Sequence, residues 1–166
     1  DEDVGRHLSL DGLLADNVPE IVCISTPPAS HEAVAIRCAA AGANILCEKP
    51  LSLSVASCRR MIDACRRSGV RMHYGASYRF MPALITARAL IREGRLGRIR
   101  LLRESVVGSA RPETCTELPE AHYPLGGPGG GGMGLLDHGV HLVDSFGWLM
   151  DSAVASVEGR GNLSGA

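Results

Sequence analysis

The fold is decided by residues 20–50, which read EIVCISTPPASHEAVAIRCAAAGANILCEKP. Short runs rich in β-branched and apolar residues, at 20–25 and 44–47, flank an amphipathic stretch at 30–41 that stops at a glycine. Strands separated by helices of about 10 to 15 residues usually form parallel βαβ units, because a crossover helix must return the chain to the same end of the sheet. This stretch therefore predicts a strand, a helix and a second strand parallel to the first.

A second unit of the same kind follows. Ser54 can cap a helix whose apolar residues recur at helical spacing, and Gly69 can end it. Residues 70–74 then predict a third strand. The predicted fold class is α/β, with part of a Rossmann-type parallel sheet in residues 1–76.

The regular alternation of short strands and helices ends after residue 76, and we predict a second α/β domain at 77–166. Helices are predicted at 82–93 and 135–150, and strands at 98–107 and 154–159. This domain is expected to open on a sheet. Because such a domain should not stop at a newly begun strand, we expect the chain to be truncated at its C-terminus.

The composition excludes several classes of partner. Its 17 basic residues stand against 18 acidic ones, and no basic run could neutralise several phosphates, so nucleic acid and anionic membranes are not expected partners. No run of about 18 apolar residues could span a bilayer, and no secretory signal opens the chain. The expected compartment is the cytoplasm.

The cysteines are expected to be reduced and mostly buried. They show no C-x-x-C pairing and fall mostly within apolar segments, which favours core thiols over a disulfide framework or a zinc site. The six are Cys23, Cys38, Cys47, Cys58, Cys65 and Cys115.

Two motifs follow the first two predicted strands, at the sheet edge where open α/β folds bind ligands. Thr26-Pro27-Pro28 precedes His31, a pattern that is also typical of a simple strand stop with a histidine at a helix N-terminus. Glu48-Lys49-Pro50 offers an ammonium group to a substrate oxygen, or else a solvated ion pair on a loop.

A third motif, Asp137-x-x-x-His141, lies in the predicted helix at 135–150. A spacing of four places the carboxylate and the imidazole on one face, where the acid can orient the ring for acid–base chemistry. Asp144 extends the same stripe. A purely structural pair remains an alternative, and no metal site is expected because no distant third ligand motif accompanies it.

Six short motifs follow one another in a characteristic order along nearly the whole chain. They are Leu10-Asp11-Gly12-Leu13-Leu14, Thr26-Pro27-Pro28-x-x-His31, Ala41-Gly42-x-x-Ile45-Leu46-Cys47-Glu48-Lys49-Pro50-Leu51, Tyr78-Arg79-Phe80-x-Pro82, Leu90-Ile91-x-x-Gly94-x-Leu96-Gly97-x-Ile99, and Gly134-x-Leu136-x-His138-Gly139-x-His141-x-x-Asp144. In this order they resemble the Gfo/Idh/MocA oxidoreductases. The single motifs are weak, but the series is specific.

The resemblance implies the C-terminal part of a Rossmann NAD(P)-binding domain at 1–76, followed by the beginning of a substrate and oligomerisation domain at 77–166. It implies NAD or NADP as the cofactor and a sugar, inositol or related polyol as the substrate. It also implies a homo-oligomer in the full-length protein. Two alternatives stay open: cofactor-assisted elimination or glycoside cleavage, and a non-catalytic nucleotide-sensing relative.

The resemblance also implies roles for individual residues. The expected catalytic set is Lys49, which would stabilise the developing alkoxide, His141, which would act as general base, and Asp137, which would orient His141. The residues expected to line the cofactor are Thr26, Pro27, His31, Glu48, Lys49 and Arg79.

The family's first strand and its glycine-rich phosphate turn would precede Asp1. Those backbone amides are the main anchor of a pyrophosphate. We therefore expect a fragment that binds cofactor poorly and is inactive by itself.

Overall fold

The computed structural model of this chain describes residues 5–105 and 138–160. The chain divides into two compact units, residues 1–75 and 76–166. Within the described ranges, no helix is both long and apolar enough to cross a lipid bilayer.

The first unit contains a three-stranded sheet. Its strands are β1 (Ile21–Ile24), β2 (Asn44–Cys47) and β3 (Met72–Tyr74). They lie in the order β1-β2-β3, and both pairs are parallel. The prediction of a Rossmann-type parallel sheet is confirmed, with the first and third strands shorter than expected.

Two crossover helices connect these strands, as the sequence predicts. They are α2 (Pro28–Ala41) and α3 (Val55–Ser68). The Ser54 hydroxyl accepts a hydrogen bond from the Ser57 N–H at 3.1 Å, which caps the first turn of α3. Gly69 ends this helix at a φ of 68°, a left-handed conformation that favours glycine.

The core of this unit lies between α2, α3 and one face of the sheet. Its buried residues are Ile24, Ala35, Cys38, Ala39, Ala43, Ile45, Cys47, Met61, Ala64 and Cys65. Three predicted core thiols, Cys38, Cys47 and Cys65, are therefore buried, whereas Cys23 is exposed. Cys115 lies outside the described residues.

A short helix precedes the sheet and was not predicted. It is α1 (Leu10–Asp16), capped by the Ser9 hydroxyl, which accepts from the Gly12 N–H at 3.1 Å. None of its residues is buried.

The second unit is helical in its described part. A 3₁₀ turn at Ser77–Phe80 is followed by α4 (Pro82–Arg92), and the later helix is α5 (Val140–Met150). The Arg88 guanidinium lies 4.2 Å above the centre of the Trp148 ring, which fastens α4 to α5.

Two predicted strands of this unit are wrong over the residues that the structure describes. Neither 98–105 nor 154–159 forms a strand. A strand needs a neighbour for its backbone donors and acceptors, and no strand of the second unit lies within the described ranges. The predicted start of α5 at 135–137 lies outside them.

Candidate functional site

The carboxyl end of the sheet carries the first group of predicted site residues. Thr26 lies two residues after β1, and Glu48 and Lys49 directly follow β2. The Glu48 N–H donates to the Ile24 carbonyl at 2.9 Å, so parallel pairing continues one residue beyond β2. The Lys49 N–H then donates to the Glu48 carboxylate at 2.9 Å. Acid and ammonium are thus carried side by side at a strand end.

Lys49 differs from every other basic residue of the chain. It is the only lysine, and the other 16 of the 17 basic residues are arginines. Its side chain is half-buried, and the peptide bond to Pro50 is cis. An ammonium is a compact charge with three donors, whereas a guanidinium is a flat fork. The two cations are therefore not interchangeable at this position.

Gly75 brings the end of β3 against the end of β2. Its N–H donates to the Cys47 carbonyl at 2.8 Å. A Cβ atom here would lie 3.2 Å from that carbonyl oxygen and 3.5 Å from the Cα of Glu48. The sequence interpretation overlooked this glycine, although its place directly after a predicted strand was a signal of close backbone approach.

His31 lies beneath this edge and is fully buried. Its Nε2 atom is 2.7 Å from the Thr26 carbonyl oxygen, and its Nδ1 atom is 3.2 Å from the Leu51 carbonyl oxygen. Both ring nitrogens therefore face the backbone of segments that leave the sheet.

The N-terminus of α2 is a poor site for a phosphate. Pro28, its first residue, has no N–H to offer. The Ser30 N–H donates to the Pro27 carbonyl at 2.9 Å, and the Ser30 hydroxyl lies 2.8 Å from both that carbonyl and the Thr26 hydroxyl. The local donors are therefore used within the turn, and a pyrophosphate would find few amides here.

The polar groups at the sheet edge suit the amide and ribose groups of a dinucleotide better than its phosphates. A hydroxyl from Thr26, a carboxylate from Glu48 and an ammonium from Lys49 can exchange hydrogen bonds with an amide or with ribose hydroxyls. The described residues thus fit the carboxamide or a ribose of NAD or NADP.

The second unit holds the other predicted residues. His141, in the first turn of α5, is 7% exposed and stacks on Tyr78 of the 3₁₀ turn, with ring centroids 4.1 Å apart and planes at 9°. Stacking fixes the plane of the imidazole. Asp137, its predicted orienting partner, lies outside the described residues.

Arg79 is engaged by a carboxylate on the same helix as His141. Its Nε and Nη2 atoms donate to the two carboxylate oxygens of Asp144 at 2.8 and 2.5 Å. The hydrogen bond from Asp144 raises the pKa of Arg79 above its usual value. The sequence interpretation placed Arg79 at the cofactor and did not pair it with Asp144.

A buried hydroxyl lies one turn further along α5. Ser145 is 1% exposed, and its Oγ atom has no hydrogen-bond partner among the described residues. The helix face of His141 therefore carries two buried polar side chains.

The structure groups the predicted residues by unit. Thr26, Pro27, His31, Glu48 and Lys49 lie in the first, and Arg79 and His141 lie in the second. The convergence of Lys49 and His141 on one substrate atom stays a prediction. Among residues 5–105 and 138–160, no three histidines, cysteines or acids gather as ligands for one metal ion.

Two family descriptions match the chain. An oxidoreductase family with an NAD-binding Rossmann fold matches residues 3–76. The GFO/IDH/MocA C-terminal domain matches residues 84–165.

Similar proteins include enzymes of two reaction types. The 2,7-anhydro-N-acetylneuraminate hydratase of Escherichia coli is 34% identical over 104 residues, which cover 59% of this chain and 28% of the hydratase. The trans-1,2-dihydrobenzene-1,2-diol dehydrogenase of Bos taurus is 31% identical over 135 residues, 81% of this chain and 38% of that enzyme. The chain thus spans less than two fifths of either relative.

A similar crystal structure contains a reduced cofactor. It is the WlbA dehydrogenase from Bordetella pertussis in complex with NADH and UDP-GlcNAcA, 32% identical with a TM-score of 0.52. The match covers 54% of this chain and 26% of that one.

Proposed function

We propose, since this chain belongs to the Gfo/Idh/MocA family of oxidoreductases, that the protein containing it oxidises a hydroxyl group of a sugar, inositol or related polyol with NAD or NADP. One observation carries this proposal: Lys49, the only lysine of the sequence, lies two residues after β2 at the carboxyl end of a parallel sheet. Ligands of open α/β sheets bind at this edge.

Lys49 is proposed to stabilise negative charge on the reacting oxygen. An ammonium hydrogen bond strengthens as the substrate hydroxyl becomes an alkoxide, which lowers the barrier more than it tightens substrate binding. The backbone bond from Lys49 to the Glu48 carboxylate supports this role because it limits the directions open to the segment.

His141 is proposed to remove the hydroxyl proton. Its neutral ring can accept that proton, and stacking on Tyr78 holds the ring in one plane while it does so. Asp137, one turn earlier in the sequence, is proposed to orient the ring. Nicotinamide, when bound, accepts the hydrogen and two electrons that leave the carbinol carbon.

The exposed polar residues among those expected to line the cofactor are proposed to hydrogen-bond it. Thr26 and Glu48 would hydrogen-bond the carboxamide or ribose, while Pro27 would pack against the ring. Thr26 and Pro27 follow β1, and Glu48 and Lys49 follow β2, the parallel neighbour of β1, which supports a shared site at this edge.

The test uses the full-length gene product that contains this sequence and a panel of polyols. Turnover is followed by the absorbance of reduced nicotinamide. Lys49→Ala is expected to lower kcat by about 100-fold, the usual cost of removing one donor to a developing oxyanion. Arg95→Ala, which removes an exposed cation, is the matched control and should keep the parent rate. Unchanged turnover in Lys49→Ala would overturn the proposal.

The hydratase relative favours a second candidate on the same residues. In this second candidate reaction the substrate would be oxidised only transiently, so a leaving group would depart without net reduction of the cofactor. Product analysis separates the two: oxidation accumulates reduced nicotinamide in step with product, whereas elimination or hydration releases product and leaves the cofactor unchanged.

A further inference from the structure

We infer that His31 is a positioning residue, which ties down the segment that carries Lys49 and does not itself touch cofactor or substrate. This inference rests on the proposed role of Lys49. It departs from the sequence expectation, which placed the His31 ring against the cofactor.

The ring bridges the two segments that leave the carboxyl edge of the sheet. Nε2 faces the carbonyl of Thr26, two residues beyond β1, at 2.7 Å. Nδ1 faces the carbonyl of Leu51, two residues beyond Lys49, at 3.2 Å. The side chain is 0% exposed, so the ring presents no surface to a ligand.

The segment before Lys49 is already fastened by backbone hydrogen bonds. The Glu48 N–H bonds to Ile24, and the Cys47 carbonyl accepts from Gly75. After Lys49, the backbone of Pro50 cannot donate a hydrogen bond, because proline has no N–H. With a proton on Nδ1, the His31 contact to the Leu51 carbonyl supplies a tie on that far side, and Lys49 then lies between two anchored points.

The chemistry of the contacts suggests which variants separate them. Backbone carbonyls only accept hydrogen bonds, so each contact needs a ring N–H. A neutral imidazole has one N–H and donates to one of the two carbonyls, whereas a protonated ring donates to both. A glutamine amide nitrogen lies near the position of histidine Nε2, and an asparagine amide nitrogen lies near Nδ1. His31→Gln can therefore keep the bond to Thr26, and His31→Asn can keep the bond to Leu51.

Kinetics of the full-length protein test the assignment first. His31→Ala should lower kcat at least about tenfold, the scale of a misplaced catalytic group, with a smaller loss of cofactor affinity because the Thr26 segment is released as well. His31→Asn should recover more of kcat than His31→Gln. A loss of cofactor affinity with unchanged kcat would instead favour direct contact and overturn the inference.

A double-mutant comparison then asks whether His31 acts through Lys49. The variant with both His31→Ala and Lys49→Ala should be no slower than Lys49→Ala alone, because the positioned group is already gone. Multiplying effects would contradict the inference while leaving the proposed function intact. If Lys49→Ala alone has no effect, the proposed function fails.

A spectroscopic measurement decides the placement of Lys49 whatever the kinetics show. Reductive methylation with ¹³C-formaldehyde labels the accessible amino groups of the full-length protein, Lys49 among them, and the spectrum of Lys49→Arg identifies the Lys49 NMR signal. His31→Ala should move this signal towards its position in the unfolded protein, and an unmoved signal overturns the inference. Should His31→Ala not fold, the Asn and Gln variants provide the same comparison.

The matched control is Arg60→Ala. Arg60 pairs with Glu32, the residue after His31, at 2.5 and 2.8 Å, but neither residue contacts the two carbonyls. This variant loosens the same turn of α2 from α3. Arg60→Ala should leave kcat and the Lys49 signal at their parent values. A change as large as that of His31→Ala would show that any loosening of α2 has this effect, and it would overturn the specific role of His31.

Discussion

The guanidinium of Arg79 and the carboxylate of Asp144 form a two-point ion pair across 65 positions of the sequence. The Asp144 side chain is 15% exposed and that of Arg79 is 42% exposed. The pair joins the 3₁₀ turn to α5, three residues after His141, and Tyr78 stacks on His141 beside it. The two contacts together fix the first turns of α5 against the 3₁₀ turn.

Replacement of Arg79 by lysine should loosen α5. A lysine keeps the charge but cannot reproduce the two parallel hydrogen bonds of the guanidinium. We expect the unfolding free energy to fall by about 1 kcal/mol, a small loss because solvent screens the partly exposed Arg79. Faster hydrogen exchange of the α5 amides would measure it. Arg95→Lys alters an exposed pair whose atoms are 3.7 Å apart and should change almost nothing. Equal effects of the two variants would contradict the role given to Asp144.

The Glu32–Arg60 pair should make stability depend on acid pH. The hydrogen bond from Arg60 lowers the pKa of Glu32 from 4.5 to about 2, with a smaller contribution from Ser57. Because the folded pKa lies below the unfolded one, the stabilisation is complete above pH 4.5 and disappears as the pH falls towards about 2.

Thermal unfolding of the parent and Glu32→Gln proteins from pH 7 to pH 2 measures this linkage. The difference in Tm should be constant down to about pH 5 and then shrink. Arg60→Ala removes the partner, so adding Glu32→Gln to it should produce no further pH-dependent loss. A Tm difference that stays constant down to pH 2 would show that the pair does not perturb Glu32.

Elements set by local residues could be predicted from the sequence, and those set by distant contacts could not. Helix α3 begins at its serine cap and ends at Gly69, both legible in the sequence. Helix α1 was missed although Leu10, Leu13 and Leu14 have helical spacing and Ser9 can cap them, because seven residues with a glycine among them make a weak helical pattern. The strand predicted at 154–159 has β-type residues, but pairing needs a neighbouring strand that local sequence cannot supply.

The same distinction applies to the candidate site. Lys49 was found because it lies two residues after a recognisable strand. The burial of His31 could not be predicted, because its two carbonyl partners belong to loops that meet only in the folded chain. The pairing of Arg79 with Asp144 likewise depends on how the 3₁₀ turn docks on α5.

The cysteines should differ in reactivity according to burial. Burial, helped by the negative charge of Glu48, raises the pKa of Cys47 to about 12, and burial also raises the pKa of Cys65. Cys23 is exposed. Since the thiolate is the nucleophile, iodoacetamide at pH 8 should alkylate Cys23 before Cys47, with Cys47 reacting at least about 100-fold more slowly. Peptide mass spectrometry over time measures both rates, and Cys47 reacting as fast as Cys23 would contradict its burial.

Gly75→Ala and Gly42→Ala should separate loss of stability from loss of function. At Gly42, with a φ of 95° and open space around it, alanine strains only the local backbone, at a cost of about 1 kcal/mol. At Gly75 the new Cβ would press on the Cys47 carbonyl at 3.2 Å, for a similar cost of about 1 kcal/mol. Because Glu48 Cα lies 3.5 Å away, only Gly75→Ala should displace the Lys49 segment. Urea unfolding should show comparable losses of unfolding free energy in the two variants. The kcat of the full-length protein should fall in Gly75→Ala alone. Full turnover in Gly75→Ala would mean that the close approach of β3 to β2 does not position Lys49.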